Sequence, residues 1–249
     1  VARRGTVGAL LGSGLVAITA LGGAGGYGVG LLTAVDRSAA AAGTAAPLGA
    51  IRTSTSTPST TPSPTSTPRV IQPDNSPPLD ASELRYKTRS FDVEYVYKSQ
   101  VSARVPANWN MTRPDPPRTA RFTDPTGKRW IRVEAGFTIQ RPPAASMEAR
   151  ILELNRLPKD QMLKYISSTV EGNYATLVYT YVPPASLAPV ATVRYVIVRW
   201  VADESGLCAV EMSSTGLPQD KKALMTVIDK AASSVVRRDS PLDSSEKPS

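Results

Sequence analysis

Apolar positions along the chain follow two regimes: one uncharged run of 31 residues from Gly5 to Val35, and periodic recurrence between Phe91 and Val236. Phe91, Val93, Tyr95 and Tyr97 alternate with Asp92, Glu94 and Lys98, and Val101, Ala103 and Val105 alternate with Ser102 and Arg104. Period two marks a strand with one buried face, so both runs predict strands. Residues 119–123 predict a third. Asp124-Pro125-Thr126-Gly127 is turn chemistry that joins it to a strand over 129–139, where Ile131, Val133, Ala135, Phe137 and Ile139 share a face.

After Pro142 and Pro143 the period changes. Met147, Ile151 and Leu154 face away from Glu148, Arg150, Glu153 and Arg156, which predicts an amphipathic helix capped by Ser146 and stopped before Pro158. Residues 165–171, 174–182, 192–202 and 207–213 predict four more strands, with Asp203-Glu204-Ser205-Gly206 turning the last pair. Leu224, Val227, Ile228, Ala231 and Val235 then form a helical stripe opposite Lys221, Lys222, Asp229 and Lys230. Sequential strands favour an antiparallel sheet, so the expected fold is α+β, with two helices covering the sheet.

Composition divides the rest. The apolar run at 1–36 is long enough to span a bilayer, which needs roughly 20 residues as helix. Arg3 and Arg4 place its N-terminal side in the cytoplasm and the following chain outside. Its ten glycines and Ala39–Ala42 leave a cleaved secretory signal as the alternative. Gly23-Ala24-Gly25-Gly26-Tyr27-Gly28 formally matches a dinucleotide-binding pattern, but no strand, helix and later acidic residue frame it. Residues 37–84 read as a linker, because residues 53–68 are drawn only from Ser, Thr and Pro and can build no core. The globular domain is expected over 85–238 and a polar tail over 239–249.

The chain has no histidine and one cysteine, Cys208, which excludes intrachain disulfides, Cys/His metal cages and imidazole catalysis. The single Ser-x-x-Lys, Ser244 to Lys247, lies in the polar tail. No cofactor or metal is therefore expected. Cys208 reads as a small buried hydrophobe, and Trp109, Trp130 and Trp200 as core residues rather than pocket walls. Chemistry, if present, would need carboxylates, with Glu134, Glu148, Glu153, Glu171 and Glu211 available to meet in space.

The net charge of +8 belongs to the domain, where Arg118, Arg121, Lys128, Arg129 and Arg132 form the densest basic run. That run reads either as a solvated strand edge or as a footprint for anionic lipid headgroups or wall polymer. Nucleic acid is not an expected partner of an outward-facing domain.

Val105-Pro106-Ala107-Asn108-Trp109 ending a strand, then Phe122-Thr123-Asp124-Pro125-Thr126-Gly127, a long strand, a helix and a four-stranded return, resemble the PsbP-like fold over roughly residues 86–238. With an anchor and a Ser/Thr/Pro linker, the arrangement is similar to extracytoplasmic modules of actinobacterial envelope proteins, attached to membrane Ser/Thr kinases or associated with type VII secretion. The resemblance implies a non-catalytic binding or assembly module at the cytoplasmic membrane with an envelope protein partner. That family has no shared catalytic residues to carry over. The alternatives are a secreted hydrolase using carboxylates, or a basic adhesin to anionic lipid or wall polymer.

Overall fold

The computed structural model describes residues 69–240, apart from 96, 115–116 and 138–139. The expected membrane anchor and most of the expected linker lie outside the described residues. Among the described residues, no helix is long and apolar enough to cross a membrane.

The domain is α+β. Its main sheet has seven strands in the order β3 (Asn110–Thr112), β4 (Thr119–Thr123), β5 (Trp130–Glu134), β9 (Cys208–Gly216), β8 (Arg194–Ala202), β7 (Tyr174–Tyr181) and β6 (Lys164–Glu171). Every neighbouring pair in it is antiparallel. A smaller sheet holds β1 (Tyr86–Glu94), β2 (Lys98–Pro106) and β10 (Val236–Ser240), with β2 central.

The strand alternation decides which layer each side chain enters. Ile131 and Val133 of β5, Val210 and Met212 of β9 and Ile197 of β8 pack with Phe91, Val93, Val101, Ala103 and Val105 of the small sheet. Helix α2 (Lys221–Ala232) joins that core through Leu224, Val227, Ile228 and Ala231, the stripe read from the sequence. Val235 lies beyond the helix, in the approach to β10. On the opposite face of the large sheet, α1 (Pro143–Leu154) covers Leu177, Tyr179, Val196, Val198 and Trp200. The molecule is thus three layers: α1, the seven-stranded sheet, then α2 beside the small sheet.

Several expectations need correction. Ser146 does not cap α1; the helix starts from Pro142 with Pro143 at its first position, where a missing N–H costs nothing. The strand after the Asp124 turn ends at Glu134 instead of continuing to 139. Gly136 takes φ +80°, and a Cβ there would stand 2.9 Å from Val93 Cγ1, so glycine breaks the strand where the chain passes the small sheet. Strands β3 and β10 were not foreseen, and β10 draws residues 239 and 240 of the expected tail into the small sheet.

The stretch 69–84, read as linker, lies on the domain. Gln72 N–H donates to the Ala191 carbonyl at 2.9 Å, and the Arg69 guanidinium donates to the carbonyls of Pro183 and Ala188. Lys128 Nζ pairs with Asp74 at 2.8 Å, and Leu79 N–H donates to Asp220 Oδ1 at 2.7 Å. Leu79 and Leu84 pack against the core. These residues form a strap across the domain; the composition that excludes a core does not exclude docking through backbone groups and isolated charges.

Candidate functional site

The face shared with α1 carries a cluster of charges that brings Glu134 and Glu211 together with Arg132 and Arg150. Alternation along β5 puts Trp130, Arg132 and Glu134 on this face, and along β9 it puts Glu211, Ser213 and Thr215 there. The register sets Glu134 directly opposite Glu211, Arg132 opposite Ser213 and Trp130 opposite Thr215.

Two buried glutamates side by side require cations. Arg132 Nη2 lies 2.5 Å from Glu134 Oε2, and its Nη1 lies 3.9 Å from Glu211 Oε1. From α1, Arg150 reaches both oxygens of Glu211 at 3.1 and 3.2 Å and also pairs with Glu153 at 3.4 Å. Trp200 Nε1 donates to Glu211 Oε2 at 2.8 Å. Burial raises the Glu134 carboxyl to about 7; Arg132 pulls it down and the Glu211 charge pushes it further up. Burial likewise pushes the Tyr179 hydroxyl well above its usual range.

Of the five glutamates considered for catalysis, the fold therefore joins Glu134, Glu153 and Glu211. Glu148 and Glu171 are exposed elsewhere, on α1 and on the edge strand β6. Cys208 is buried near this cluster, its thiol pushed up to about 12 by burial.

The five basic candidates separate. Arg129 is buried on the opposite face, in phase with Ile131 and Val133, and is no part of an accessible footprint. It pairs with Asp220 at 2.7 Å and Asp124 at 3.4 Å, and donates to the Pro77 carbonyl at 2.6 Å. Lys128 is taken by Asp74 of the strap. The Arg118 guanidinium lies over the Tyr95 ring, its centre 5.2 Å from the centroid. Arg121 and Arg132 lie directly opposite each other on β4 and β5, on the α1 face, where Arg132 is held by Glu134 and Glu211.

Trp130, half-buried beside them, is covered by the Arg121 guanidinium at 4.1 Å, with Arg194 of β8 at 5.8 Å. Trp109 and Trp200 are core residues, as read. Arg194 was missed because it starts a strand whose neighbours were unknown; only the register brings it to Trp130. A separate concavity of about 590 Å³ on the α2 side is lined by Tyr174, Arg199, Asp229 and Arg237. There Arg199 pairs with Asp229 at 2.7 Å and Arg237 with Asp239 at 2.7 Å. Among the described residues, no cluster of His, Cys, Asp and Glu could hold a metal ion.

No family model matches the chain, and no curated protein matches it. Among solved structures, the Ran-binding protein Mog1p of Saccharomyces cerevisiae aligns at 12% identity and TM-score 0.42, covering 62% of this chain and 96% of that one. A point mutant of Mog1 aligns at 13% identity and TM-score 0.40, covering 59% and 95%. Likeness at this level assigns neither family nor function, and neither structure bears on the PsbP-like resemblance.

Proposed function

We propose that the chain is a membrane-tethered, extracytoplasmic module of the cell envelope that binds or assembles partners without catalysis of its own, of the PsbP-like kind its motifs resemble. The tether rests on sequence: an uncharged span behind Arg3 and Arg4, then a Ser/Thr/Pro spacer. Binding rests on the cation-rich sheet face around Trp130.

The observation that carries the non-catalytic reading is the engagement of the carboxylates. A retaining glycosidase holds its two carboxyl groups about 5 Å apart with the sugar between them. Here Arg132 bridges Glu134 and Glu211, and Arg150 and Trp200 occupy the remaining side of Glu211. The one feature favouring a hydrolase is the elevated Glu134 carboxyl, which suits a general acid.

Fractionation of cells making the full chain tests the tether. The chain should stay in the membrane fraction through an alkaline wash and be cut by protease added outside the cytoplasmic membrane. Recovery in the cytosol would reject the proposal. A hydrolytic activity of the chain that disappears in Glu134→Gln would replace it with the enzyme reading.

A further inference from the structure

Among the described residues, β3 and β6 form the edges of the seven-stranded sheet, and β1 and β10 those of the small one. An open edge invites pairing with another chain, and proteins blunt it with short strands, prolines or charges. Three of these edges are blunted. Strand β3 has three residues, β1 carries Lys87, Arg89, Asp92 and Glu94, and β10 carries Arg237, Arg238 and Asp239. Strand β6 is eight residues long and all of them are exposed, with no charge or proline between Tyr165 and Val170. Tyr165, Ile166 and Val170 are 38%, 49% and 56% exposed. Among the described residues, no strand pairs with its outer side, and neither Lys164 nor Glu171 at its ends has an ion-pair partner.

The ladder to β7 shows what a partner strand would meet. It has seven rungs, Glu171, Val170, Thr169, Ser168, Ser167, Tyr165 and Lys164, because Ile166 is the extra residue of a bulge and opposes nothing on β7. That series is complementary to its own reversal about the middle rung, Ser168. A two-fold axis there sets Glu171 opposite Lys164, Val170 opposite Tyr165, Thr169 opposite Ser167, and Ser168 opposite its own copy. Each is a favourable kind of cross-strand pair: opposite charges, aromatic with β-branched, hydroxyl with hydroxyl. The axis also carries each rung onto one of the same parity, so backbone groups that point away from β7 meet groups that do the same. Sliding the copy by two rungs loses both charge pairs, and a parallel arrangement sets Lys164 against Lys164 and Glu171 against Glu171.

We propose that β6 is a homodimerisation edge, which pairs antiparallel with β6 of a second copy about a two-fold axis at Ser168 and joins two seven-stranded sheets into one. The partner is a second copy and not an unrelated strand, because both charge pairs and the side-chain matches come from the strand's own sequence. A contact of this symmetry closes on itself and does not propagate into a fibre. It brings the exposed Tyr165 and Val170 of each copy against those of the other. The inference goes beyond the binding-module reading and does not rest on it. A tether that confines copies to one membrane surface would favour the pairing by raising their effective concentration.

The full chain in non-ionic detergent carries the test. Ser168→Cys, with copper phenanthroline as oxidant, should give a disulfide-linked dimer, because facing residues of an antiparallel pair lie within the Cα span of a disulfide. The native Cys208 is buried and does not compete. Ser205→Cys, exposed in the turn between β8 and β9, should cross-link at least about fivefold less. Lys164→Glu sets like charges opposite each other at both ends of the pair and should weaken association about tenfold in analytical ultracentrifugation. Glu171→Lys should do the same, and the chain carrying both exchanges should regain the native association, a recovery that damage to the fold cannot produce. Ser168→Cys linking no better than Ser205→Cys, single reversals without effect, or no recovery in the doubly exchanged chain would overturn the proposal. So would a monomeric chain whose β6 amides are protected from hydrogen exchange, which would show another segment of the same chain covering the edge. Association through the apolar run at Gly5–Val35 is insensitive to the two reversals, and membrane retention is measured separately. Failure here therefore leaves the tether reading standing, and failure there leaves this one.

Discussion

Arg129 and Asp220, 91 residues apart, meet as a buried two-point fork, with Nε donating to Oδ2 at 2.7 Å and Nη2 to Oδ1 at 3.1 Å. Asp220 also accepts the backbone N–H groups of Leu79 and Leu217, so one carboxylate joins the strap, β5 and the start of α2. Removing one partner of a buried pair typically costs about 3–5 kcal/mol, because the other charge stays buried. Arg129→Met should lower stability by that order in denaturant titration, whereas Arg118→Met, on the half-exposed surface, should cost about 1 kcal/mol or less. Equal losses would mean that the fork does not organise the fold.

The Glu134 carboxyl, raised to about 7 from 4.5, binds its proton more tightly in the folded state than in the unfolded one. The native state therefore holds more protons between those values, and stability falls as pH rises through that window. The effect is at most about 3 kcal/mol and shrinks with the coupling to Glu211. Denaturant midpoints at pH 5 and pH 8 should show the fall, and Glu134→Gln should flatten it. A stability that climbs over the same interval in the native sequence would contradict the assignment.

Buried and raised to about 12, the Cys208 thiol should be inert. Iodoacetamide at pH 8 should leave the folded chain unlabelled by mass spectrometry and label it fully in denaturant. Rapid modification of the native protein would show that the α1 face opens near Cys208.

The docked strap changes where the domain can be cut. A protein starting at residue 69 should melt higher than one starting at 82, which lacks the Asp74, Pro77 and Leu79 contacts. Those contacts together are worth about 2 kcal/mol or more, roughly 5 °C for a domain of this size. Coincident melting curves would return residues 69–81 to the role of free linker.

What the sequence disclosed and what it hid follow from the range of each interaction. The Asp124 turn was legible because Asp124, Thr126 and Gly127 satisfy one another locally: Gly127 N–H donates to the Asp124 carbonyl, and the Asp124 carboxylate accepts from Thr126 and Lys128. The α2 stripe was legible for the same reason, since helical period alone selects Leu224, Val227 and Ile228. Grouping Arg129 with Arg132 as one basic run ignored the strand's own alternation, which places Arg129 with Ile131 and Arg132 with Trp130. The meeting of Glu134 with Glu211, or of Arg194 with Trp130, had no local trace, because strand order and register across five central strands decide it. The docking of the strap was equally hidden: its bonds run largely through backbone carbonyls and N–H groups, which every sequence has.

Mechanical load gives the strap a further meaning. A pull on the chain at the N-terminal side of Arg69 acts first on the guanidinium held by Pro183 and Ala188, then on the Asp74–Lys128 pair, and only afterwards on the Asp220 fork beneath Leu79. The contacts are loaded one after another along the chain, the most buried last. Force arriving from that end would peel the strap stepwise toward residue 79 before any strand of either sheet bore it, which makes the strap a yielding element ahead of the core.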